Sequence, residues 1–122
     1  MQAGSTYAAV VGAVIAQVRS EVGMSQAQLA EQVGIGQPAW SRIEKGGSVL
    51  SVDQLARAAR AMKTAPHRIL ELADKTVEQM RVESFEVSYD KPQRNEPPSD
   101  NTGLLLLGGA ALAALIYAAS KK

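Results

Sequence analysis

Apolar positions recur at helical spacing through the first two thirds of the chain. Val11, Val14, Ile15 and Val18 stand three and four residues apart, which predicts a helix over about 7–21 that Gly23 stops. Ser25-Gln26-Ala27-Gln28 is an S-x-x-Q capping box and opens a second helix, with Leu29, Ala30 and Val33 inward and Gly34 at its end. A third starts near Gln37 with Pro38 in its first turn, where the missing N–H costs nothing. Trp40 and Ile43 point inward from it, and Gly46-Gly47 ends it. Ser51-Val52-Asp53-Gln54 repeats the capping box before a fourth helix whose apolar positions are Leu55, Ala58, Ala59 and Met62. A fifth takes Thr64 as N-cap and Pro66 in its first turn, buries Ile69, Leu70 and Leu72, and can run on through Val77 and Met80.

The pattern then changes. Phe85, Val87 and Tyr89 alternate with Glu86 and Ser88, and period two fits a short strand. A helical domain offers a single strand no partner, so it pairs across a dimer axis or remains a tail. Residues 91–101 hold three of the five prolines and no other apolar side chain, which reads as a flexible linker. From Leu104 to Ala119 every residue is apolar, Gly or Tyr. A helix with no polar face is not a surface helix. As a helix, 102–120 spans about 28 Å against a bilayer core of about 30 Å. Gly109 with Ala113, and Ala110, Ala114 and Ala118, put small residues four apart, while Tyr117, Lys121 and Lys122 suit a membrane interface. The expected organisation is a helical domain over 1–80, an acidic extension and flexible linker over 81–101, and a transmembrane helix over 102–120. The other reading of the tail is a buried dimerisation helix. No basic n-region precedes the Val10–Ala16 run, so no signal peptide is expected.

Composition narrows the chemistry. With 122 residues the chain holds one small domain and an appendage. Aromatics at 4% argue against a small β-sandwich or barrel. The absence of Cys excludes disulfides and thiolate metal sites, and one histidine, His67, leaves little for a His-based metal site or a catalytic triad. No residues are spaced as acid and base or nucleophile and base, so an enzyme is not expected, and neither is a cofactor. Net charge is +1, but it is unevenly spread. Six basic residues face two acidic ones between Gly36 and Arg68, and eight acidic face four basic between Glu71 and Asp100. A basic patch on the folded part is thus followed by an acidic stretch.

Gly34-Ile35-Gly36 joins the second and third helices by a tight turn, the geometry of a helix-turn-helix. Such a pair lets the third helix enter a major groove while the second crosses the backbone.

Residues 14–72 resemble the helix-turn-helix domain of the Cro and lambda-repressor type, the XRE family. The likeness rests on Val18-Arg19, Gly23-Met24-Ser25-Gln26, Leu29-Ala30 and Gly34-Ile35, then Trp40-Ser41-Arg42-Ile43-Glu44-Lys45-Gly46. Leu55-Ala56, Ala59 and Leu70 continue it. It covers roughly half the chain. The resemblance implies an all-α, five-helix fold and a dimeric, sequence-specific binder of double-stranded DNA, acting as a repressor-like transcriptional regulator. It implies that Gln37, Pro38, Ser41 and Arg42 face the bases. Gln26 would touch a phosphate and brace Gln37, Lys45 and Ser48 would meet phosphate, and Arg19 with Glu44 would form a buried structural ion pair. The chemistry is suitable: Gln pairs with adenine, Arg with guanine, and Lys with phosphate. The sequence departs from the family at Trp40, where a small aliphatic residue is usual, and at Pro38, which offers the groove only an apolar contact. With the tail, the expectation is a cytoplasmic DNA-binding domain anchored in the inner (cell) membrane by a single C-terminal pass. The alternatives are a membrane-associated adaptor that uses the bundle for protein contacts, and an antitoxin-type repressor.

Overall fold

A computed structural model of the protein describes residues 4–83, 86–90, 116, 117 and 119. The elements run β1 (Gly4–Thr6), α1 (Tyr7–Glu21), α2 (Gln26–Val33), α3 (Gln37–Glu44), α4 (Val52–Ala61), α5 (Pro66–Val82) and β2 (Glu86–Ser88). The two longest helices, α1 and α5, pack on each other; α3 lies on α1, and α2 bridges α3 and α4. Val10, Val14 and Ile15 of α1, Leu29 of α2, Trp40 of α3, Ala58 and Ala59 of α4, and Ile69 and Met80 of α5 meet in one core.

Both capping boxes form. Ser25 and Ser51 accept from the N–H of Gln28 and Gln54, whose side chains return to the serine N–H at 2.8 Å. Each box satisfies two otherwise orphaned donors and sets where a helix begins. The α5 start differs from expectation. Its N-cap is Ala65, which has no side-chain acceptor, and Pro66 follows directly. Leu70 and Leu72 are only half-buried, because the inward stripe of α5 is Ile69, Ala73, Thr76, Val77 and Met80. Thr76 hides its hydroxyl by donating to the carbonyl of Leu72 at 2.8 Å.

An all-α fold omits one feature. β2 pairs in parallel with β1, with Gly4 opposite Glu86, Ser5 opposite Val87 and Thr6 opposite Ser88. The strand expected to lack a partner inside the domain finds one in the residues just before α1. Antiparallel packing of α1 and α5 brings the end of one beside the start of the other, so the segments flanking them can share a ladder. Tyr7 reinforces the junction: its hydroxyl donates to Asp74 at 2.6 Å, and its ring lies 5.3 Å from that of Tyr89.

Among the described residues no helix is long and apolar enough to cross a membrane. The expected linker at 91–101, and the expected span at 102–120 apart from Ile116, Tyr117 and Ala119, lie outside them. Ile116 belongs to the buried core of the helical domain, Ala119 is equally covered, and Tyr117 is exposed.

Candidate nucleic-acid interface

The turn between α2 and α3 is built on Gly34. Its φ of +93° is the left-handed conformation that ends α2, and its N–H with that of Ile35 closes the last turn onto Ala30. Gly36, extended at φ −70° and ψ 154°, is the N-cap of α3, and Pro38 occupies the first turn. Two short helices are thereby set across each other, with the N-terminus of α2 and the outer face of α3 on the surface.

On that face Gln37 and Ser41, and Pro38 and Arg42, are each one helical turn apart. Gln37, Pro38 and Arg42 are exposed, Ser41 is half-buried, and Lys45 is exposed at the C-cap of α3. Ser48 is half-buried in the loop that follows. Among the described residues neither Arg42 nor Lys45 has an acidic partner, so both charges are available to an anion.

Behind the face lies a buried carboxylate. The Glu44 side chain is 3% exposed and that of Arg19 18%. Glu44 Oε2 accepts from Arg19 Nε at 2.8 Å and from the Trp40 indole Nε1 at 2.7 Å. Glu44 Oε1 accepts from Arg19 Nη2 at 3.1 Å and from Gln26 Nε2 at 2.9 Å. Arg19 Nη1 also donates to the carbonyl of Met24, in the loop before α2. The fork thus ties α1, α3 and the entry to α2 together, with the bidentate geometry that makes such pairs strong. From Gln26 the network reaches the surface, where Gln37 Nε2 donates to Gln26 Oε1 at 2.7 Å. One N–H and the carbonyl oxygen of the Gln37 amide remain free to meet a ligand.

Sequence reasoning placed Arg19 against Glu44 and Gln26 against Gln37 through the resemblance alone. It missed that Gln26 and Trp40 both end on Glu44. The Trp40 contact had a signal, since positions 40 and 44 are one turn apart on the same helix. The Gln26 contact crosses between two helices and had none. Arg57, Arg60 and Lys63 are exposed, but Arg57 reaches the carbonyl of Val33 at 3.5 Å and so serves the C-terminus of α2. His67 is exposed at the start of α5, and among the described residues no group of His, Cys, Asp or Glu is placed to hold a metal ion.

The comparisons with known proteins agree with this geometry. Residues 10–72, which contain α2, the turn and α3, match the family model described as a helix-turn-helix domain. The chain belongs to the helix-turn-helix domain family. No curated protein and no solved structure shows a significant match. Membership makes the helical unit a domain of the DNA-binding, regulatory class.

Proposed function

We propose that this helix-turn-helix protein is a sequence-specific regulator of transcription of the XRE, repressor-like type, binding double-stranded DNA as a homodimer. The observation that carries the reading is the network that runs from the buried Glu44 carboxylate and Arg19 through Gln26 to the exposed Gln37. It orients one amide on an outer face that also presents Arg42, and we assign the exposed Lys45 at the end of α3 to phosphate. Side chains held from behind make better readers than free ones, because less order is lost on binding. Pro38 contributes an apolar contact, Ser41 a hydroxyl, and Ser48 and the N-terminus of α2 at Gln26 supply phosphate donors. The role is non-catalytic.

The test is selection of duplexes from a random pool by the full-length protein. The expected result is a pseudo-palindrome with half-sites about one helical turn apart, bound with an affinity that falls steeply with salt. Binding without sequence preference, or none at low salt, would replace the regulator with an adaptor that uses the bundle for protein contacts.

The proposal extends to the tail, with 102–120 as a membrane tether for a cytoplasmic DNA-binding domain. It rests on the length and unbroken apolarity of that run. The burial of Ile116 and Ala119 favours a second use, in which the end of the run covers the helical domain itself. Fractionation separates the two. A tether pellets with membranes, resists carbonate and salt, and becomes soluble when cut at Asp100. A covering segment leaves the full-length chain soluble, and its removal exposes core residues.

A further inference from the structure

We propose that Trp40 is a positioning residue for base reading: its indole N–H, acting through Glu44 and Gln26, fixes which way round the Gln37 amide faces the groove. This rests on the reading of Gln37 as a base-contacting residue.

The argument follows the polarity of the hydrogen bonds. A carboxylate only accepts and has about four lone-pair sites, whereas guanidinium and indole only donate. Glu44 receives four donors: two from Arg19, one from Trp40 and one from Gln26. Its acceptor capacity is filled, and because it has no proton to donate, Gln26 can meet it only through the NH2 end. The carbonyl end of Gln26 must then face away, toward Gln37, which in turn must offer its own NH2. Gln37 is left with one N–H and Oε1, a donor and an acceptor of the kind that N7 and N6 of adenine require.

Trp40 is the rigid donor in this set. Its side chain is fully buried and packed into the core, one turn before Glu44 on α3. Arg19 is longer and partly exposed. Without the indole N–H, Oε2 keeps a single donor, and only the partly exposed Arg19 fork holds the carboxylate about its terminal torsion, which is soft. Oε1 then moves relative to Gln26, and the amide order that ends at Gln37 is lost.

The chain contains one tryptophan, so biosynthetic replacement by β-(3-benzothienyl)alanine changes this group alone, putting sulfur in place of N–H at nearly constant shape. Full-length natural and substituted proteins are compared on the selected operator and on operators with each other base pair at the Gln37 position, over a range of salt. The substituted protein should lose discrimination at that position by about threefold or more, with an unchanged salt slope. Trp40→Phe should lose it too, and in a Gln37→Ala background the analogue should remove no further discrimination. Unchanged discrimination, a uniform loss on all sequences, or an added loss in the Gln37→Ala background would each overturn the proposal. NMR of the free protein tests the relay without DNA. The Gln37 side-chain amide should show one proton protected from exchange, and the analogue should abolish that protection. If protection responds in this way but the natural protein has no sequence preference, the DNA reading fails and the relay stands. Protection that persists in the analogue overturns the relay whatever the DNA result.

Discussion

Gly12 in α1 lies directly against the carbonyl oxygen of Ile43 at the end of α3. A β-carbon at Gly12 would collide with that oxygen and stand 2.8 Å from the carbonyl oxygen of Glu44. Both neighbours are backbone in the last turn of α3, so neither can swing aside as a side chain would. The absence of a side chain at one position of α1 thus decides how closely α3 approaches, and with it where Glu44 meets Arg19.

Gly12→Ala should therefore push α3 outward. Overpacking of this kind costs about 1–3 kcal/mol. Urea denaturation should show that loss, and affinity for the selected operator should fall with it. Unaltered stability would mean that the two helices have room to spare.

Glu44→Ala removes the acceptor of Arg19, Gln26 and Trp40 together. Breaking a desolvated pair by deleting one partner costs about 3–5 kcal/mol. A loss under about 1 kcal/mol, the range of exposed pairs, would show that water replaces the carboxylate easily.

Readers and positioners separate by the kind of loss. Gln37→Ala or Arg42→Ala should each cost about 1–3 kcal/mol on the best site and relax base choice at one position. Lys45→Ala should weaken all sequences alike and flatten the salt slope by about one unit. Fluorescence anisotropy on a panel of single-base variants distinguishes these outcomes. Should Arg42→Ala behave as Lys45→Ala does, Arg42 is a phosphate contact.

Tyr7 gives stability a dependence on alkaline pH. Burial first, and then the hydrogen bond to Asp74 and its negative charge, push the phenol well above its ordinary 10.0. The folded state thus holds this proton more tightly than the unfolded chain does. The resulting stabilisation is fully present below the unfolded value and is lost as pH rises through the folded one. The stability difference between the natural protein and Tyr7→Phe should be constant below pH 10.0 and shift against the natural protein above it. Urea titrations on both sides of that pH check it, and parallel curves throughout would show that Tyr7 titrates normally.

Local chemistry determined most of the helices. The boxes at Ser25–Gln28 and Ser51–Gln54, the prolines at 38 and 66 and the glycine at 34 each act within a few residues, so the sequence alone located the five helices and the tight turn. Stripes such as Leu55, Ala58, Ala59 and Met62 likewise gave the buried face of α4, because helical period is a local property. The tertiary structure decided what depends on residues far apart in sequence. Strand β2 pairs with residues 4–6 because α1 and α5 pack side by side, and nothing near Val87 encodes that. Glu44, already one turn from Trp40 on α3, gathers its donors from positions 19 and 26 because the helices pack together, and Gly12 lets α3 settle on α1. A carboxylate that would be costly to bury alone becomes the centre of the site only when the fold adds the donors of Arg19 and Gln26 to that of its helical neighbour Trp40.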